Sequence, residues 1–156
     1  MLVTAWAYGS GRWAFTETHV NEFLSQWEEA AAQGDADAIC DTLADDLTFT
    51  LNDRSAGTPL EAEGGKEDLC AYFQKVIPIM AKVASSSEVR RDDLVIKRDT
   101  WHWWTADVSY TEYRSMRIAA SMTLKTIGED RMTLVKTLKG LRVKRLESQS
   151  WIDDGS

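Results

Sequence analysis

The 156 residues carry 18 lysines and arginines against 25 aspartates and glutamates, a net charge of −7. With 44% hydrophobic and 28% charged residues, the composition is that of a folded domain, long enough to bury about two-thirds of its unfolded surface. The acidic balance argues against nucleic acid, whose backbone needs concentrated positive charge. No run of about eighteen apolar residues is present to span a membrane. The start of the chain has neither the basic residues nor the continuous apolar core of a secretory leader, so a cytoplasmic location is expected. Cys40 and Cys70 are expected to be two small buried thiols, with a disulfide or a metal pair as the alternative. No zinc-ligand spacing occurs and two histidines make no histidine-rich site, so neither metal nor cofactor is expected.

In chain order, residues 2–15 form an apolar arm around Gly9-Ser10-Gly11, read either as two short β segments or as a partly ordered terminus. Thr18 is placed as the N-cap of a first long helix, in which Val20, Phe23, Leu24, Trp27, Ala30 and Ala31 repeat at helical spacing. Gly34 ends that helix and Asp35 caps the next, which carries Ile39, Cys40, Leu43 and Ala44. The period then changes to two, with Leu47, Phe49 and Leu51 facing one way, the pattern of a half-buried strand. Asn52–Gly65 has the composition of a loop, and Lys66–Ile77 returns to helical spacing until Pro78 interrupts it. From Glu88 onward the chain reads as strands: 88–99, 101–115, 116–127, 131–138 and 141–152, with turns at Gly128-Glu129-Asp130 and Lys139-Gly140.

The stretch GDADAICDTLADDLTF, followed by GGKEDLCAYF, resembles the nuclear transport factor 2-like superfamily. The closer likeness is to its SnoaL-like branch, which includes polyketide cyclases and ketosteroid isomerases. The order of elements extends that resemblance over residues 18–153, with 1–17 as an extension of a single domain spanning 1–156. It implies an α+β fold in which three N-terminal helices pack on a curved, mostly antiparallel sheet, forming a cone with a pocket. The superfamily includes isomerases, dehydratases, epoxide hydrolases and members without catalysis, so the fold alone assigns no activity.

Three positions decide whether the cone resembles a known enzyme. The isomerases place a proton-shuttling aspartate at the end of the first strand, where this chain has Leu51; Asp53 is the nearest substitute, or else Asn52-Asp53 is a turn pair. They place an oxyanion-donating tyrosine on the first helix, where this chain has Trp27, an indole donor that also fits the core stripe. SnoaL-like cyclases carry an aspartate on the last strand, where this chain has Ser148, with Glu147 on the other face. The epoxide hydrolases use an Arg-x-Asp on an earlier strand, which Arg91-Asp92-Asp93 matches weakly.

The strand at 101–115 supplies the remaining candidates. His102, Trp104, Ala106, Val108, Tyr110 and Glu112 share one face, so His102, Asp53 and Glu112 are the candidate proton carriers. Trp27, Leu51, Phe73, Trp104 and Tyr110 are the candidate ligand contacts. The opposite face carries Trp101, Trp103 and Tyr113, an aromatic row expected to pair two copies as a homodimer. The reading is a SnoaL-like small-molecule-binding protein with an aromatic-lined pocket for an apolar or polycyclic ligand. The alternatives are a cofactor-free cyclase, isomerase or dehydratase using acid–base chemistry, and a non-catalytic protein-interaction module.

Overall fold

The computed structural model describes residues 15–55 and 58–155, so the expectations for the arm at 1–14 lie outside the described residues. Helix α1 spans Glu17–Ala32 and α2 spans Ala36–Cys40. Strands β1 (Leu43–Asp53) and β2 (Leu60–Gly65) form a hairpin, after which α3 runs over Lys66–Val83. Strands β3 (Ser86–Arg98), β4 (Thr105–Ala119), β5 (Met122–Thr137) and β6 (Gly140–Ile152) form a meander. These six strands join one sheet in the order β2-β1-β6-β5-β4-β3. Among the described residues, only the β1–β6 pairing is parallel.

Local chemistry explains several boundaries. The side chain of Thr16, not Thr18, accepts from His19 N–H and caps α1, which starts the helix earlier than expected. Gly34 has φ +74°, the left-handed conformation that glycine adopts without steric cost. Gly34 N–H donates to Ala31 O and Asp35 N–H to Ala30 O, which satisfies two carbonyls in the last turn of α1. Asp35 Oδ1 then accepts from Ala38 N–H at 3.1 Å.

Five expectations are corrected. Helix α2 ends at Cys40, and Leu43, expected within it, is a buried residue opening β1. The supposed loop at 52–65 contains β2, an edge strand whose residues are exposed or half-buried and lack a buried alternation. Helix α3 follows this hairpin, so the three helices are not all N-terminal to the sheet. Pro78 lies inside α3, which continues to Val83. Gly128-Glu129-Asp130 makes no turn: the residues pair with β4 and β6 in the middle of β5.

The sheet carries four register irregularities, at Leu43/Thr48, Asp92/Val95, Arg117/Ala119 and Thr133/Leu134. Bulges bend strands and increase local twist. The one in β3 contains Asp93 at φ 58° and changes which residues face inward. Arg91 lines the interior before it, whereas Leu94 and Ile96 pack on the core after it.

The core gathers where Phe15, Val20 and Leu24 meet Leu43, Leu47 and Phe49 of β1. Ala106, Val108, Leu134 and Val143 close it from the other strands. Phe15 is fully buried, and its carbonyl accepts from Arg98 Nη2 at 3.0 Å, which secures the residue just before α1. Cys40 and Cys70 are paired as a disulfide with 5.5 Å between their Cα atoms, so the reading of two separate thiols is overturned. The pairing joins α2 to α3. Their sequence separation of 30 hid the proximity, which arises because α3 folds back over α2.

Candidate functional site in the mouth of the cone

Where the core stops, the helices and the sheet leave a cavity of about 280 Å³. That is near the lower end of small-ligand pockets, which run to about 1,000 Å³. One wall is aromatic. Trp27 of α1 meets Phe73 of α3 edge-on at 6.2 Å between ring centroids, and Tyr72 lies beside Phe73. Trp27 Nε1 donates to Thr42 Oγ1 at 2.8 Å. The indole donor is therefore spent on the scaffold, and Trp27 offers the cavity an apolar face.

The opposite wall is the inner face of the sheet, and it is polar. Tyr110, Asp130 and Ser148 are direct cross-strand partners on β4, β5 and β6, and all three line the cavity. Ser148 Oγ donates to Asp130 Oδ1 at 2.5 Å, and the Tyr110 hydroxyl also hydrogen-bonds the Asp130 carboxyl. Burial is the largest influence on Asp130 and disfavours its charge. Ser148 works against that, the nearby Glu112 charge adds to it, and Tyr110 and Arg114 oppose it; the result is a pKa raised to about 6. Tyr110 is held well above the ordinary phenol value, first by burial and then by the charges of Asp130 and Glu112. It therefore stays a proton donor in a hydrogen bond.

Nearer the rim, charged groups cluster. Glu28 Oε1 accepts from Arg114 Nη2 at 2.6 Å and from Arg91 Nη2 at 3.2 Å. Glu112 Oε1 accepts from Arg114 Nη2 at 2.9 Å, and its Oε2 lies 3.8 Å from Arg91 Nε. Burial works against the Arg114 charge, but Glu112 and Glu28 more than offset it and hold its pKa above the usual arginine value. On β1, Asp53 Oδ1 accepts from Ser55 N–H at 2.8 Å, Ser55 Oγ at 2.5 Å and Ser150 Oγ at 2.9 Å. Asp53 is thus a turn-forming residue and a cavity-lining one at once. Its charge, after burial, helps raise the Tyr72 phenol above its ordinary pKa.

Of the residues singled out from sequence, Asp53, Glu112, Trp27, Leu51, Phe73 and Tyr110 come together around this cavity. His102 and Trp104 do not line it. Strand β4 begins at Thr105, so both belong to the connection from β3 rather than to a strand face. The His102 side chain is 58% exposed, and its Nδ1 lies 3.0 Å from Asp99 Oδ2. Asp99 also accepts from the N–H groups of Trp101 and His102, which holds this short turn together. Trp104 packs edge-on against His102 and Trp103.

The expected outer aromatic row is likewise altered. Trp101 and Trp103 precede β4, Trp101 being 87% exposed, and only Tyr113 is on the strand, where Arg90 covers its ring at 4.5 Å. Asp130 was missed because Gly128-Glu129-Asp130 reads as a turn. Its signal was the alternation Asp130, Met132, Leu134, which places the carboxyl on the same face as two core residues. Among the described residues, no group of three or more histidine, cysteine or carboxylate side chains could hold a metal ion, and no helix is long and apolar enough to cross a membrane.

No family model matches the chain, and no curated protein matches it. Solved structures do. Aln2 from a Streptomyces species superposes with a TM-score of 0.63 at 20% identity, covering 83% of this chain and 86% of its own. A candidate scytalone dehydratase from Novosphingobium aromaticivorans gives 0.61 at 11% identity, covering 84% and 80%. An NTF2-like protein with a cystatin-like fold from the same organism gives 0.57 at 17% identity, covering 90% and 92%. Superposing on these structures over most of its length, this chain has the nuclear transport factor 2-like fold.

Proposed function

We propose that the cone binds a small, largely apolar molecule carrying an oxygen function, in the manner of the SnoaL-like branch. Asp130 moves a proton on that molecule, as an isomerase, dehydratase or cyclase requires. One observation carries the reading: a carboxyl group on the inner wall of a ligand-sized cavity is held at about 6. A carboxyl in that range exchanges its proton near neutral pH, where an ordinary aspartate is fully ionised. Tyr110 and Ser148 fix its orientation by donating to it, and Trp27 and Phe73 offer an apolar surface for the ligand. The volume favours one or two rings over a larger polycycle. Asp53 holds Ser55 and Ser150 through Oδ1 and Glu112 holds Arg114 through Oε1, and both serve to position rather than to transfer. His102 has no role in the cavity.

A second reading, binding without catalysis, draws on the mutual neutralisation of Glu28, Glu112, Arg91 and Arg114, which leaves the rim set for recognition. Calorimetry with 2-naphthol, a bicyclic phenol, separates the two. If Asp130 contacts the ligand, affinity differs several-fold between about pH 5 and about pH 7.5, either side of its midpoint. Asp130→Asn removes that difference. Binding with the same affinity at both pH values in both proteins favours the binder. The absence of binding in all cases removes both readings.

A further inference from the structure

We propose that this cavity is the inner half of a longer site, and that Arg91 and Arg114 receive the carboxylate of an aromatic or alicyclic acid at its outer boundary. The proposal rests on the preceding reading and names the ligand class. A second depression of about 700 Å³ lies between α1, the C-terminal half of α3 and the ends of β3 and β4. It shares Glu28, Ala31, Ile77, Arg91 and Arg114 with the cavity. The two spaces therefore meet at the ion cluster.

The geometry of that cluster is what an incoming carboxylate requires. A single oxygen, Glu28 Oε1, bridges the two guanidinium groups at 2.6 Å and 3.2 Å. Glu28 comes from a helix, whereas both arginines and Glu112 come from the sheet. Its side chain is 26% exposed, so it can swing into the groove by a change of rotamer. The arginines would then face Glu112 alone, with one positive charge in excess. Donors are already in surplus: Arg91 Nε–H is buried without a hydrogen-bond partner, the nearest carboxylate oxygen being Glu112 Oε2 at 3.8 Å. A planar carboxylate matches the fork of guanidinium N–H groups. A cationic ligand would instead meet two arginines that repel it, beside carboxylates already paired with those arginines.

The spacing sets the ligand's length. Tyr110 and Arg114 are four residues apart on β4, about 13 Å along the strand, and the arginine side chain reaches back over part of it. A bicyclic acid spans the remainder, with its rings on Trp27 and Phe73 and a polar atom toward Asp130. In this arrangement Glu28 holds the place of the ligand carboxylate until the ligand arrives.

The test compares 2-naphthoate with 2-naphthol at neutral pH by calorimetry and reads the ratio of their affinities. In the parent protein naphthoate should bind about tenfold tighter, as a charge-assisted bidentate contact implies. Arg114→Gln should lower that ratio about tenfold, and Glu28→Gln, which removes the negative charge bridging the two guanidinium groups, should raise it several-fold. Circular dichroism checks that each variant is folded, and Glu28→Gln, on a partly exposed helix face, serves if Arg114→Gln is not. Naphthol binding with no preference for naphthoate, or a ratio that neither substitution moves, overturns this proposal while leaving the proton-transfer reading intact. If neither probe binds, both fail.

Discussion

Asp99 and Asp130 both accept hydrogen bonds from close neighbours, yet their carboxyls shift in opposite directions. In the connection between β3 and β4, the N–H of Trp101 and then the His102 side chain pull Asp99 below the ordinary carboxylate range. Inside the cone, burial outweighs the hydroxyls of Ser148 and Tyr110, and Asp130 rises to about 6. The two regions are alike in composition, each placing an ionisable pair beside aromatic rings. What differs is access to water. Hydrogen bonds to an open carboxylate stabilise its charge, whereas in the cavity they only reduce the penalty of removing that charge from solvent.

The largest expected effect breaks the inner region. If the protein turns over a ligand, Asp130→Asn should lower kcat by about 10²- to 10⁴-fold, the range of a positioned general acid or base. His102→Gln should leave kcat unchanged, which a turnover assay on the two variants side by side would show. The same substitution of Asp130 has a stability signature. The folded-state pKa of Asp130 lies above its unfolded value, so its ionisation opposes folding. The associated stability is fully present below about pH 4 and is lost as pH rises through about 6. Above that pH, Asp130→Asn should therefore be more stable than the parent by about 1–3 kcal/mol, with the difference closing under acid, as urea unfolding across pH would show.

Reducing the Cys40–Cys70 disulfide sharpens the contrast, because it loosens the helices over the inner region and leaves the β3–β4 connection untouched. Closing a loop of this length stabilises a fold by about 2–4 kcal/mol. Thermal unfolding with and without reductant should show a fall of that order, while amide exchange of His102 stays unchanged. Tyr110→Phe should have a smaller effect, costing about 1–2 kcal/mol for the lost hydrogen bond and raising the Asp130 midpoint further, because Tyr110 lowers it. His102→Gln should change stability least, by under about 0.5 kcal/mol, as expected of an open surface pair.

Much of this molecule is written in local pattern. Gly34 and Asp35 punctuate α1 and α2, the stripe of Val20, Phe23 and Leu24 is the buried face of α1, and the alternation of Leu47 and Phe49 is buried as read. The cavity wall of Trp27, Leu51, Phe73 and Tyr110 follows from the same periodicities. What escaped depends on partners distant in sequence. Strand β2 is an edge with little buried alternation, recognisable only once β1 is beside it. The Cys40–Cys70 pairing needs α3 folded over α2. The bulge at Asp93 changes the inward phase of β3 with no glycine to announce it, so the Arg91-Asp92-Asp93 pattern did not show that Arg91 faces the cavity. Asp130 follows a glycine and another acid, turn chemistry that pairing with β4 and β6 overrides.

The most direct test follows the Asp130 carboxyl itself by carbon-13 NMR through a pH titration, with Asp130→Asn identifying its resonance. A midpoint near 6, well separated from the other aspartates, is the result predicted. A midpoint at about 4, with the surface carboxylates, would mean that water reaches the inner wall and that Asp130 is no proton carrier.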